Sequence, residues 1–196
     1  MTNYQTIVVA GMGRCGTTLV FDAIRKKNEF VRDLQNLNNP DFIRLNVIKT
    51  HDFPPTTLPP NTKCIYMFGN PYHIVFSSHG PKVNHHEHYL NMHSEPSSRF
   101  KFTWEDTLQL QKNFTLWHQP QPFPLLTLRY ETLWQNIHVL NEFLGFEVQL
   151  PKQKPRETHF ENPQLANQMW EVRRTYEPLH NIIEQAPNAK IWEVKK

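Results

Sequence analysis

The residues best suited to chemistry form two groups near the amino end: Gly11-Met12-Gly13-Arg14-Cys15-Gly16-Thr17-Thr18 and, further on, Lys49-Thr50-His51. Three of the chain's 6 glycines fall in the first group. Glycine loses more backbone entropy on folding than other residues, so this concentration indicates a tight turn that a ligand can approach closely. The β-branched run Ile7-Val8-Val9 before it reads as a buried strand, and Leu19, Val20, Ala23 and Ile24 after it recur at helical spacing. A strand, a glycine loop and a helix in that order aim several N–H groups and a helix N-terminus at one anion. Arg14 adds a planar fork that can hold such an anion through two hydrogen bonds. Lys49 and His51 follow an apolar stretch, where they offer an electrostatic clamp and a candidate general base that titrates near neutral pH. The plainer alternatives are a β-to-α turn that binds nothing and a solvated loop histidine, one of 11 in the chain.

The spacing Gly11-x-x-x-x-Gly16-Thr17-Thr18 is that of a nucleotide phosphate loop, except that Thr17 stands where an NTPase carries its lysine. Threonine cannot bring a positive charge to the β- and γ-phosphates. The loop's cation is instead Arg14, and no apolar strand ends in the aspartate that would hold magnesium. Both features argue against ordinary ATP or GTP hydrolysis.

Gly13-Arg14-Cys15-Gly16-Thr17-Thr18-Leu19 resembles the 5′-phosphosulfate loop of the sulfotransferases that use 3′-phosphoadenosine-5′-phosphosulfate (PAPS). Cys15 departs from the Ser or Thr usual there. Lys49-Thr50-His51, with a proline following, is similar to the family's Lys-Thr-His-Leu-Pro segment, in which the histidine is the catalytic base and the lysine helps neutralise the moving group. Lys63 to Phe68 running into Gly69-Asn70-Pro71 resembles the 3′-phosphate segment, which has Arg-Asn-Pro or Arg-Asn-Ala and a serine eight residues after the arginine. Ser77 is the serine, but Gly69 stands in the arginine's place. That exchange removes a charge-assisted pair of roughly 1.5–3 kcal/mol. Arg129, Lys152, Lys154, Arg156, Arg173 and Arg174 are the basic residues considered as substitutes. Tyr130-Glu131-Thr132-Leu133 and Phe143-Leu144-Gly145-Phe146 resemble the family's Tyr-Glu-Asp-Leu and Phe-Leu-Gly segments, where the tyrosine lies near adenine; a packing role for Tyr130 fits as well. The family's Arg-Lys-Gly segment near the C-terminus has no good match, though Lys152-Gln153-Lys154-Pro155-Arg156 is basic.

The resemblance covers the first 80 or so residues and Leu125 to Phe146. It implies sulfuryl transfer from PAPS to a hydroxyl or amine on a small-molecule or carbohydrate acceptor, without a metal. His51, Lys49 and Arg14 would carry catalysis. Gly13, Arg14, Cys15, Gly16, Thr17, Thr18, Asn70, Ser77 and Tyr130 would bind the donor. Two alternatives remain at this point: a P-loop kinase for a small metabolite, and a non-catalytic nucleotide-binding relative.

The elements that must position these groups alternate between strand and helix, which predicts one α/β domain over 1–196, a three-layer α/β/α sandwich around a mainly parallel sheet. Strands are expected at Phe42–Lys49, Lys63–Phe68 and Leu125–Arg129, besides the first. The first helix is expected to close on Arg25-Lys26-Lys27, with loop from Asp33 to Pro40. Pro71 suits the first turn of another helix. Thr103-Trp104-Glu105-Asp106 approximates a capping box before the stripe Leu110, Phe114 and Trp117. Leu133, Ile137, Leu140 and Leu144 form a stripe closed by Gly145, and Leu165, Met169, Val172 and Tyr176 mark a last helix. His79, His85, His86, His88 and His93 have no zinc-site spacing and read as a solvated loop, a substrate lid by the resemblance.

Net charge is +3, from 21 basic and 18 acidic residues, which suits an anionic small molecule and is too weak to indicate nucleic acid. Two cysteines provide no disulfide framework and suit a reducing compartment. The start of the chain lacks a signal-like apolar core, and no run approaches the length of a membrane span, so the expected setting is cytoplasmic.

Overall fold

The computed structural model describes residues 4–33, 44–78, 106, 108–154 and 166–195. They form an α/β fold of five helices and a five-stranded sheet. In chain order the elements are β1 (Tyr4–Gly11), α1 (Thr17–Asp33), β2 (Arg44–Thr50), β3 (Thr62–Phe68), α2 (Pro71–Ser78), α3 (Leu110–Trp117), β4 (Leu125–Arg129), α4 (Ile137–Leu144), α5 (Ala166–Gln185) and β5 (Ala189–Trp192). The strand order is β2-β1-β3-β4-β5. The first four strands are mutually parallel, and β5 runs antiparallel to β4.

Central parallel strands are covered on both faces, which is why they read as unbroken apolar runs. Ile7, Val9, Ile65, Tyr66, Met67, Phe68, Leu125, Leu126 and Leu128 are all fully buried. By contrast β2 is an edge strand, and its Ile48 is exposed. The register levels the carboxyl ends: Ala10 pairs with both Thr50 and Tyr66, Gly11 with Met67, and Phe68 with Arg129. The loops leaving these strands therefore emerge along one edge. The chain steps from β1 to β2 on one side and to β3 on the other, so the direction of connection reverses at β1. In open parallel sheets such a reversal leaves a crevice between neighbouring carboxyl ends, here those of β1 and β3.

Several local expectations change. The first helix does not stop at Arg25-Lys26-Lys27; it continues to Asp33, because no glycine or proline interrupts good helix formers there. Asp33 is thus helical rather than loop, and the rest of the expected loop lies outside the described residues. Helix α3 starts only at Leu110, and the Asp106 carboxylate accepts the N–H groups of Leu110 at 2.9 Å and Gln111 at 2.7 Å. Thr103, Trp104 and Glu105 lie outside the described residues. Leu110, Phe114 and Trp117 are buried, as their spacing predicts. Tyr130–Thr132 form a separate 3-10 turn, and the helix on the Leu133 stripe begins at Ile137. Gly145 closes it at φ 84°, and the Lys63 ammonium donates to the last carbonyls of Phe143 (2.7 Å) and Leu144 (3.3 Å).

Strand β5 has no counterpart in the sequence reading. Its four residues, Ala-Lys-Ile-Trp, are too few to display a period, and their pairing to β4 is what makes them a strand. Helix α5 buries Met169, Val172, Tyr176, Leu179 and Ile183 and packs on α2 and α3. Among the described residues no helix is long and apolar enough to cross a membrane.

Candidate active site

The loop after β1 is built from backbone conformations that only special residues adopt. Gly13 (φ 79°), Arg14 (φ 48°) and Gly16 (φ 82°) all lie in the left-handed region. Glycine enters it without strain, whereas Arg14 does so against a steric penalty. Close contacts also require glycine at two positions. A Cβ on Gly11 would stand 2.7 Å from the Thr17 hydroxyl and 2.8 Å from the Met67 carbonyl. A Cβ on Gly16 would stand 2.4 Å from the Tyr130 ring, so that ring lies directly against the loop. The loop is tied to β3 by Met12 N–H donating to the Met67 carbonyl at 3.2 Å.

Cys15 does not take the place of an anion-binding hydroxyl. Its side chain is fully buried, and its thiol donates to the same Met67 carbonyl at 3.1 Å. Cysteine here is a small buried anchor of the loop. Thr17 opens α1 and is buried, while Thr18 beside it is exposed.

From the end of β2, Lys49 donates to the Thr18 hydroxyl at 3.2 Å, and His51 Nδ1 lies 2.9 Å from the Gly11 carbonyl. A carbonyl oxygen only accepts, so this partner assigns the neutral ring's proton to Nδ1 and its lone pair to Nε2. Two sets of contacts hold the backbone that carries the ring. The Thr50 hydroxyl accepts Asp52 N–H at 3.0 Å, which fixes the turn after β2. From α3, Asn113 Nδ2 donates to the His51 carbonyl (3.3 Å) and Trp117 Nε1 to the Asp52 carbonyl (2.9 Å). Asn113 in turn accepts from the hydroxyl of fully buried Tyr66 at 2.8 Å, and Tyr66 stacks on Trp117 with centroids 5.5 Å apart. The sequence pattern marks α3 only as core; its polar atoms steady the histidine turn.

On the other flank of the loop, Asn70 caps α2, its side-chain oxygen accepting the N–H groups of Tyr72 (2.9 Å) and His73 (3.4 Å). Its own N–H donates to Glu131 at 2.9 Å. Glu131 also occupies the space beside Gly69: a Cβ there would lie 3.0 Å from its carboxylate. Arg129 is paired with Glu131 and Glu184, so its charge is already matched. Arg174 lies over the Trp170 ring of α5, and Arg156 falls outside the described residues. Among the described residues Arg14 reaches Ser77, its Nε donating to the serine hydroxyl at 2.9 Å.

The structure thus brings Gly13, Arg14, Cys15, Gly16, Thr17, Thr18, Lys49, His51, Ser77 and Tyr130 to one edge of the sheet, with Asn70 at the adjoining helix cap. The histidine-rich stretch from 79 to 93 lies outside the described residues, and among those described no group of three metal-ligating side chains is present. A cavity of about 740 Å³ between Leu58, Asn61, Pro124 and Phe146 opens at the amino ends of the strands, away from this chemistry. Set against models of known protein families and against curated protein sequences, the chain matches none.

Proposed function

We propose that this chain is a PAPS-dependent sulfotransferase, moving a sulfuryl group to a hydroxyl or amine of a small-molecule or carbohydrate acceptor. The observation that carries this reading is His51, anchored through Nδ1 to the carbonyl of Gly11 at the root of the anion loop, with Lys49 on Thr18 beside it. The motif resemblance supports it independently of that geometry.

In the proposed reaction the acceptor's hydroxyl oxygen attacks sulfur, and His51 Nε2 takes its proton. The S–O bond to the 5′-phosphate breaks, and the phosphate leaves with the electron pair as part of adenosine 3′,5′-bisphosphate. Catalysis is alignment plus electrostatics, as in phosphoryl transfer. The loop N–H groups, Thr17 and Thr18 hold the phosphosulfate, and Lys49 spreads the charge of the moving group. Gly16 lets the Tyr130 ring approach the loop, where the adenine would stack. The finer architecture belongs to the same proposal: a right-handed crossover from β1 to β2 and one in the opposite direction from β3 to β4 would put α1 on one face and α2 with α3 on the other, giving three layers. Two buried free cysteines suit a reducing, cytoplasmic setting.

The test is transfer of labelled sulfuryl from PAPS across a panel of alcohols, amines and sugars. The wild type is expected to turn over at least one acceptor, and His51→Ala to lose about 10²–10⁴-fold in kcat while still binding the bisphosphate. Bisphosphate binding with a His51→Ala rate equal to wild type would favour a non-catalytic relative. Magnesium-dependent ATP turnover in place of sulfuryl transfer would favour the kinase.

A further inference from the structure

We infer that the cavity at the amino ends of the strands is a ligand site of its own, built for a flat ring that carries a single carboxylate, which the ammonium of Lys63 holds. The inference goes beyond the donor reading above and does not depend on it.

Three observations carry it. First, the charge of the cavity wall has one sign. Among the described residues that line it, Lys63 is charged and none is acidic. Its ammonium donates to the Phe143 carbonyl at 2.7 Å and the Leu144 carbonyl at 3.3 Å, with the Phe143 ring 5.6 Å away. An ammonium has three N–H donors, and among the described residues none accepts the third or pairs a carboxylate with this lysine. Burial lowers its pKa, and an anion beside it would restore the charged form. One cation with one N–H to give suits a monoanion, whereas a phosphate dianion calls for more positive charge than this wall offers. Second, the rest of the wall is apolar and rigid. Pro59, Pro60, Pro122 and Pro124 line it together with Phe123 and Phe146. Proline has no side-chain freedom to lose and Phe123 is already buried, so little entropy is spent in ordering them round a ligand. Flat apolar faces of this kind pack well on another flat ring. The carbonyls of Pro59, Asn61 and Pro124 already accept hydrogen bonds from Thr62, Thr6 and Cys64, so they require no donor from the ligand. The volume, about 740 Å³, is that of a small-molecule site. Third, the cavity stands apart from the transfer chemistry. Met67, whose carbonyl ties down the anion loop, is about 13 Å along β3 from Lys63. A ring held on Lys63 therefore lies a strand's length from His51 and is not the group that receives sulfuryl.

Calorimetric titration of the full chain with cinnamate, and with cinnamide as its neutral counterpart, tests this. The wild type is expected to bind cinnamate about tenfold more tightly than cinnamide, the effect of one partly exposed charge-assisted contact. Lys63→Gln is expected to bring cinnamate down to the affinity of cinnamide and to leave cinnamide within about twofold. Leu58→Trp fills the cavity from a half-buried position of its wall and is expected to weaken both ligands alike, by about tenfold. It leaves the contacts of Lys63 to α4 in place, so it stands as the test should Lys63→Gln fail to fold. Adenosine 3′,5′-bisphosphate is expected to displace neither ligand. A wild type that binds neither ligand, or both equally, would overturn the inference, as would a preference for cinnamate that survives Lys63→Gln. Displacement by the bisphosphate, or binding indifferent to Leu58→Trp, would put the ring elsewhere and overturn it as well. None of these outcomes bears on whether the chain transfers sulfuryl.

Discussion

The link from Tyr66 through Asn113 to the His51 carbonyl is open to a double-mutant cycle. Tyr66 is fully buried and Asn113 is 5% exposed, so water cannot replace a lost partner at either. Tyr66→Phe keeps the stack on Trp117 and removes only the hydroxyl, which strands the Asn113 oxygen that accepted it at 2.8 Å. The expected destabilisation is about 1–2 kcal/mol. Asn113→Leu, which has the same branched skeleton but is larger, strands the Tyr66 hydroxyl and removes the 3.3 Å donor to the His51 carbonyl; about 2–3 kcal/mol is expected. In the double variant neither partner is left stranded by the other, so the two effects should fall short of their sum by about 1–2 kcal/mol. Urea unfolding at neutral pH measures all three. Additivity within about 0.5 kcal/mol would refute the reasoning, since it would mean that the two groups do not satisfy each other. With the proposed activity in hand, Asn113→Leu should also lower kcat more than it changes KM, because it loosens the backbone of the base and leaves the donor loop untouched.

Two further outcomes are expected. Gly16→Ala forces a Cβ into the Tyr130 ring at a left-handed position, so it should destabilise the fold by about 2–4 kcal/mol, read from the urea midpoint, and weaken nucleotide binding. His118 lies among Phe114, Phe68 and Trp192, its Nδ1 buried without a hydrogen-bond partner among the described residues, and burial, with Lys190 nearby, lowers its pKa to about 4. The unfolded chain then binds more protons than the folded one between pH 6.5 and 4, so this group's contribution is complete above about pH 6.5 and falls away as the pH drops through that window. Discounted for partial solvent screening, the loss is about 1–2 kcal/mol. His118→Phe should flatten that part of the stability–pH curve, and an unchanged slope would show that another group causes it.

What the sequence determined on its own was everything that local periodicity and residue chemistry encode. The apolar runs Ile7-Val8-Val9, Cys64 to Phe68 and Leu125 to Leu128 read as buried strands, and they form buried parallel strands. Pro71 and Gly145 punctuate helices in the positions their backbone preferences demand. Gly11, Gly13 and Gly16 announce a tight loop because no other residue adopts or permits those conformations cheaply. Helix ends were less legible where the decisive partner is remote in pattern, as with Asp106 capping a helix that starts at Leu110. Tertiary structure alone decided what meets what across the crevice. It turned Cys15 inward to the Met67 carbonyl, set Glu131 beside Gly69, carried Arg14 to Ser77, and made a strand of four residues by giving them β4 to pair with. Each of these joins residues far apart in the chain, and their meeting depends on strand order and register, which no local spacing contains.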